Sequence, residues 1–234
     1  MNAKAPALER FDRRDLILGL LAIASSATDV IAFVKLQQVF TSAMTGNTAL
    51  LGLALGQGNL FAAIHSIVAL AGYITGVALG AVIPLRNAPR DLLMLLCIEA
   101  VFLGAFFAQW QVVGFPLGGA GLYSLIATSA IGMGLQSVAA RKVNLDGIPT
   151  VVFTSTLTSL VMTLMHAGMR RGSISIFTAK RQLLAFLVYG CGAAMTAALL
   201  LHAIGMAIAL PLLAVAAAVL VHIRSMRPKK ACPR

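Results

Sequence analysis

Six apolar stretches, each close to the length of one membrane crossing, leave this chain few folds to choose from. They run from Leu16 to Val34, Leu60 to Pro84, Leu92 to Val113, Gly121 to Ala140, Gln182 to Ala203 and Gly205 to Ile223. A helix needs about 20 apolar residues to cross a hydrocarbon core about 30 Å thick. The connections between the stretches are too short for a soluble domain. Charged residues make up 11% of the chain and hydrophobic ones 59%, whereas a soluble domain carries about 25% charge. The sequence therefore predicts an all-α integral membrane protein, a single transmembrane domain over residues 1–234 with basic tails at 1–14 and 224–234. A net charge of +11 would suggest nucleic acid in a soluble chain. Here the basic residues sit at span ends, where they orient a protein in the bilayer. Lipid is the expected partner and nucleic acid is not.

One stretch has the wrong chemistry for a span. From Val39 to Leu55 the chain reads VFTSAMTGNTALLGLAL, with Thr41, Ser42, Thr45, Asn47 and Thr48 close together and Gly46 permitting a turn. The helical part expected from about Asn47 to Gly56 is ten residues, about 15 Å at the usual rise and half of a core. A broken helix ending near mid-membrane fits this pattern. Irregular backbone at that depth is tolerated only inside protein or beside a polar cavity.

The pattern returns. Val39-Phe40-Thr41-Ser42 is echoed by Val152-Phe153-Thr154-Ser155 and Thr45 by Thr158, while Tyr73-Ile74-Thr75-Gly76 is echoed by Tyr189-Gly190-Cys191-Gly192. Two echoes in the same order at nearly the same offset indicate duplication, with one repeat at about 15–113 and the other at about 121–223. If both broken segments crossed, five of the eighteen basic residues would lie outside; if both dip in and return, only Lys35 does. The positive-inside rule favours the second arrangement. The expected fold is thus six full spans plus two re-entrant half-helices in an inverted 3+3 repeat, with both termini cytoplasmic in a bacterial inner membrane. Such repeats place polar sites near the midplane at their interface.

Asp29 stands in the first span among Ser25, Ser26 and Thr28. A carboxylate there costs at least about 2.5 kcal/mol and belongs in the protein interior or a wet cavity. Two readings are open: a proton or cation site, or a hydrogen-bond anchor for the broken backbone. Lys35, one and a half turns on, is a candidate partner. Asp29 together with Val39-Phe40-Thr41-Ser42-Ala43-Met44-Thr45-Gly46-Asn47-Thr48 resembles the signature of the YoaK-like family of bacterial membrane proteins, which pairs an Asp in the first span with a phenylalanine-led segment ending in Met-Thr-Gly-Asn. The likeness extends over nearly the whole chain and includes Gly132-Met133-Gly134-Leu135-Gln136. It departs at Thr158-Ser159-Leu160, where the family often keeps Thr-Gly. The resemblance implies class and location, and supplies no substrate.

Other polar residues complete the candidate set. Glu99 lies inside the fourth element, and the repeat offset pairs it with Val215. Gln136 falls where Asp29 stands in the first repeat once a six-residue gap is allowed. Asp29, Glu99 and Gln136 are the candidates for ion or proton coupling. Gly72, Gly76 and Gly80 recur every four residues, a face for close helix contact, either within the chain or in a homo-oligomer. Half-helix N-termini present unpaired N–H groups and favour anions or electronegative atoms. Thr41, Ser42, Thr45, Gly46 and Asn47, with Thr154, Thr156 and Thr158, are the expected contacts of a small polar or anionic solute. The alternative is a protein that moves no solute, whose motifs close the core while its basic ends bind lipid or a partner. His65, His166, His202 and His222 are scattered, the three cysteines show no metal spacing, and no catalytic set, cofactor or metal is expected. The basic N-terminus before an apolar run is read as a retained first span, because that run exceeds a usual signal-peptide core.

Overall fold

A computed structural model of the chain describes residues 11–83, 89–113, 118–143 and 176–226, together with 157–158, 161–162 and 165. Seven helices are described from end to end: α1 (Arg13–Lys35), α2 (Met44–Gly56), α3 (Leu60–Ala81), α4 (Pro89–Val112), α5 (Gly119–Val143), α6 (Ile176–His202) and α7 (Ile204–Met226). All except α2 are long and apolar enough to cross a membrane. The six expected spans are therefore six helices, with ends only a few residues from those the hydropathy predicts. Leu157, Thr158, Val161, Met162 and Met165 are helical and exposed; Thr154 and Thr156 lie outside the described residues.

α1 and α5 form the centre. In each, 67% of the most apolar window is buried, against 22–33% in the other four spans. Their sequences explain the placement. The buried faces carry Ala24, Ser25, Ala27 and Thr28 on α1 and Ser129, Ala130, Gly132 and Gly134 on α5, small residues that let neighbouring backbones approach closely. The outer helices turn large side chains such as Phe61, Ile74, Val101 and Leu201 outward, as lipid-facing surface requires.

Side-chain contacts fix the helix directions. Gly72 meets Ala127 and Ala130, Gly76 meets Ile131 and Gly134, and Gly80 meets Val138, so α3 and α5 run parallel. The glycine face is used within the chain: a Cβ on Gly76 would collide with the Ile131 carbonyl oxygen, and one on Gly134 with the Tyr73 carbonyl oxygen. α4 is antiparallel to α5, since Gln109 bonds Ser124 and Thr128 while Gly132 lies against Leu103. Gln136 reaches Leu21 and Met133 reaches Thr28, making α1 antiparallel to α5. Arg181 meets Asp15 and Gly192 meets Ile23 and Ser26, making α6 parallel to α1. α7 follows α6 after Ala203 and packs on α1 and α4.

These directions gather Arg13, Arg14, Arg90, Arg141, Lys142, Lys180, Arg181 and Arg224 at one end of the bundle, the basic end, and leave Lys35 at the far end. Two of the ties at the basic end centre on Asp15. Asp12 caps α1, accepting from Arg14 N at 2.8 Å while Asp15 accepts from Asp12 N at 2.8 Å, a reciprocal capping box. Asp15 also takes the Arg181 fork, Nε at 2.8 Å and Nη2 at 2.9 Å, the two-pronged geometry that guanidinium favours.

Candidate functional site

The break between α1 and α3 begins with a reversal of the chain. Leu36 closes α1 by donating its N–H to Ala32 O, and Gln37 and Gln38 then adopt φ of 63° and 60°. Left-handed backbone costs a residue with a side chain about 1–3 kcal/mol, so the surroundings must hold it. Val39 is buried and Phe40 stacks on Phe33 with ring centroids 5.1 Å apart. The turn was expected at Thr45-Gly46-Asn47, with the helix starting near Asn47. Instead α2 begins at Met44, Gly46 lies within its first turn and the reversal is at Gln37-Gln38. Gly46 is needed for space: a Cβ there would sit 2.9 Å from the Phe40 ring.

Asp29 fastens the returning chain. Its Oδ1 accepts the backbone N–H groups of Thr41 and Ser42, both at 2.8 Å, and the Thr41 hydroxyl at 3.3 Å. Its Oδ2 accepts the Ser42 hydroxyl at 2.5 Å and the Tyr189 hydroxyl, from α6, at 3.0 Å. Ser25 then donates to Ser42 Oγ at 2.8 Å. Five donors surround one buried carboxylate, which is how a protein holds a charge away from water. The expected partner Lys35 is not among them. It is six residues nearer the far end, and backbone N–H groups and hydroxyls take its place.

Asn47 makes the second fastening. Phe40 N donates to its Oδ1 at 2.8 Å, and its Nδ2 donates to Phe40 O at 2.6 Å. One amide thereby serves both backbone groups of an extended residue, as a neighbouring strand would. Asp29 lies six residues before the end of α1, so Thr41 and Ser42 sit about 9 Å inside that end by helical rise. The 13 residues of α2 then lead from this depth back to the start of α3 at the far end.

The candidate residues fall into groups. Asp29, Thr41, Ser42 and Asn47 come together and are buried. Thr45 is exposed in the first turn of α2, Gly46 is half-buried against Phe40, and Thr158 is exposed. Gln136 is not beside Asp29: its Nε2 donates to Leu21 O at 2.8 Å, eight residues and about 12 Å along α1. Glu99 is fully buried, with neither carboxyl oxygen hydrogen-bonded among the described residues. Two members of the Asp29 cluster escape a sequence reading of the site. Tyr189 is visible there only as part of the repeat echo, and Ser25 only as one of several polar residues in α1. Among the described residues, no group of three His, Cys, Asp or Glu side chains could hold a metal ion.

A bundle of six apolar crossing helices interrupted by a short helix and a carboxylate-anchored irregular segment defines a multi-pass α-helical membrane protein with a polar insertion. Residues 17–222 match the family described as "Protein of unknown function (DUF1275)", and the chain belongs to that family. It is 36% identical over 149 residues to the UPF0700 transmembrane protein YoaK of Bacillus subtilis (strain 168), a stretch that covers 63% of this chain and 66% of that protein, just under two thirds of its length. No solved structure matches the chain.

Proposed function

We propose that the chain is a small-solute transporter or channel of a bacterial inner membrane, with its termini cytoplasmic and its two halves forming an inverted repeat. The observation that carries this reading is the hydroxyl-rich irregular segment at 39–43, inserted beside the central helix α1 where an uninterrupted span would bury apolar residues. Irregular backbone at such depth is tolerated only where protein buries it or a polar cavity adjoins it, and transporters build their midplane sites from broken helices of this kind. Contacts between helices support the repeat. Exchanging α1 with α5, α3 with α6 and α4 with α7 turns the α3–α5 contact into α6–α1 and the α4–α5 contact into α7–α1, and all four pairs are packed. The basic end collects the cations that the positive-inside rule assigns to the cytoplasm. In this reading the first broken segment, Val39 to Leu55, enters from the far end, and the second, expected at Pro149 to Met169, would enter from the basic end; most of it lies outside the described residues. At the α2 N-terminus the N–H groups of Met44, Gly46 and Asn47 are taken by Ser42 O and Ala43 O, so an anionic or electronegative solute would be met by the exposed Thr45 and the positive end of the helix.

Two measurements test the proposal. Reconstituted in liposomes, the chain conducts or takes up at least one member of a panel of small polar and anionic solutes; no flux across the panel refutes transport. In a background with Cys97, Cys191 and Cys232 replaced by Ser, a reporter cysteine at Gln57 labels from the periplasm and one at Arg171 from the cytosol. The opposite pattern refutes the inverted arrangement.

A second reading has its own support. The polar atoms of Asp29, Ser42 and Asn47 are satisfied within the protein, as a purely structural lock would have them. Under that reading Asp29→Asn and Asn47→Ala change the yield of folded protein and no flux exists to be lost. Under the transport reading, flux per folded molecule falls.

A further inference from the structure

Three buried oxygens in the middle of the bundle lack a donor. Glu99 Oε1 and Oε2, on α4, and Gln136 Oε1, on α5, are inaccessible to solvent and have no hydrogen-bond partner among the described residues. The register of the two antiparallel helices sets them opposite one another. Gly132 lies against Leu103, with a Cβ there only 3.5 Å from Leu103 Cδ2, and Gln109 bonds Ser124 and Thr128 further along. One turn toward the basic end from Gly132 is Gln136, and one turn toward the same end from Leu103 is Glu99. Gln136 cannot turn its amide to relieve the deficit without giving up its 2.8 Å bond to Leu21 O.

Among the described residues, nothing charged supplies the missing donor. On α4, the residues one turn either side of Glu99 are Leu95, Leu96 and Leu103. α7 brings Ala214, Val215 and Ala218 into the same cluster, and α5 brings Met133, Leu135 and Ala139. Of the titratable groups on these elements, Lys142 on α5 is 3.9 Å from Asp91 on α4, with Arg141 beside it, and His222 on α7 is one turn beyond Ala218, all toward the basic end; Tyr123 on α5 lies toward the far end, and Cys97 on α4 is exposed. Asp29 on α1 is toward the far end and occupied by its own five donors. Glu99 itself is ten residues from the start of α4, about 15 Å deep and near the middle of the span.

We propose that Glu99 and Gln136 form a proton-binding site across the α4–α5 interface, in which the Glu99 carboxyl group keeps its proton and donates it to Gln136 Oε1. One proton turns one Glu99 oxygen into a donor to Gln136 Oε1, leaves the other as a neutral carbonyl, and removes a buried charge that no described partner balances. The site is separate from the Asp29 segment and stands whether or not the chain moves a solute. For a membrane protein that does, a neutral mid-span carboxyl is where a proton can be taken up or released.

The chain has only two glutamates, Glu9 and Glu99, which makes the proton directly observable. The full-length protein carrying Glu9→Gln, labelled with 13C at the glutamate side-chain carboxyl and reconstituted in lipid, contains a single labelled carboxyl group. Isotope-edited infrared spectra at pH 7 are expected to show the carbonyl band of a protonated acid and no labelled carboxylate band. Gln136→Leu, which removes the acceptor and keeps Glu99, is expected to shift that carbonyl band to higher wavenumber. A labelled carboxylate at pH 7 overturns the proposal, and so does a protonated band that Gln136→Leu leaves in place, because Gln136 would then not be the acceptor. Loss of solute flux does not enter either outcome.

Discussion

Replacing Asp29 by Ala takes the acceptor away from two backbone N–H groups that cannot turn elsewhere. Thr41 N and Ser42 N each donate to Oδ1 at 2.8 Å, inside a bundle that excludes water. The Ser42 and Tyr189 hydroxyls can rotate, but the N–H groups are fixed by the backbone. Each buried orphan costs about 1–3 kcal/mol, so the two together cost about 2–6 kcal/mol. Asp29→Asn is a different perturbation. Its amide oxygen takes the place of Oδ1 and keeps both N–H partners, while its NH₂ faces Ser42 Oγ and Tyr189 Oη, which can accept. What it loses is the charge assistance of the original bonds, about 1–2 kcal/mol in net terms. The measurement is equilibrium unfolding of the purified protein by SDS in mixed micelles, for wild type and both variants. Asp29→Ala is expected to be clearly the less stable of the two, by about 2 kcal/mol or more. Equal destabilisation by Ala and Asn refutes the reasoning, since the charge, and not the acceptance of two N–H groups, would then hold the segment.

The same titration checks three further substitutions. Tyr189→Phe removes one 3.0 Å bond from an Asp29 that retains four donors, and is expected to cost only about 0.5–1.5 kcal/mol. Asn47→Ala strands both backbone groups of Phe40 and is expected to cost more than Tyr189→Phe, about 2 kcal/mol or above. Gly76→Ala sets a methyl group against the Ile131 carbonyl and pushes α3 from α5, at about 1–3 kcal/mol, whereas Gly104, with nothing within 4 Å of an added Cβ, accepts Ala with no loss.

The spans were legible because hydropathy is summed over some twenty positions and needs no knowledge of partners. The break after α1 was legible for a related reason, since Thr41, Ser42 and Asn47 cannot face lipid. Its geometry was not. Gly46 carries the usual signal for a turn, yet it is helical and exists to admit the Phe40 ring. The left-handed positions went to Gln37 and Gln38, residue types that give no such signal, because stacking of Phe33 on Phe40 and the Asp29 bonds dictate where the chain reverses. Partner choice failed in the same way. Lys35 is near Asp29 in sequence, but a helix carries it about 9 Å toward the far end, while the fold brings Tyr189 across 160 residues. Local patterns report what a residue must avoid; who meets it is decided by packing.

Asp29 and Glu99 illustrate how far that difference reaches, because as sequence features they are the same thing: one carboxyl group inside one apolar span. Five donors surround the first and, among the described residues, none reaches the second. An amide substitution therefore has opposite meanings at the two positions. Asn at position 29 replaces an acceptor of five bonds with a group that is half donor, and weakens the lock. In Glu99→Gln, the new NH₂ donates to Gln136 Oε1 where the carboxyl O–H did, and no charge is lost because none was there. Glu99→Gln is expected to leave stability within about 1 kcal/mol of wild type, measured in the same SDS titration. Destabilisation as large as that of Asp29→Ala would mean that position 99 requires an ionised carboxylate, and the acid–amide pair would be refuted.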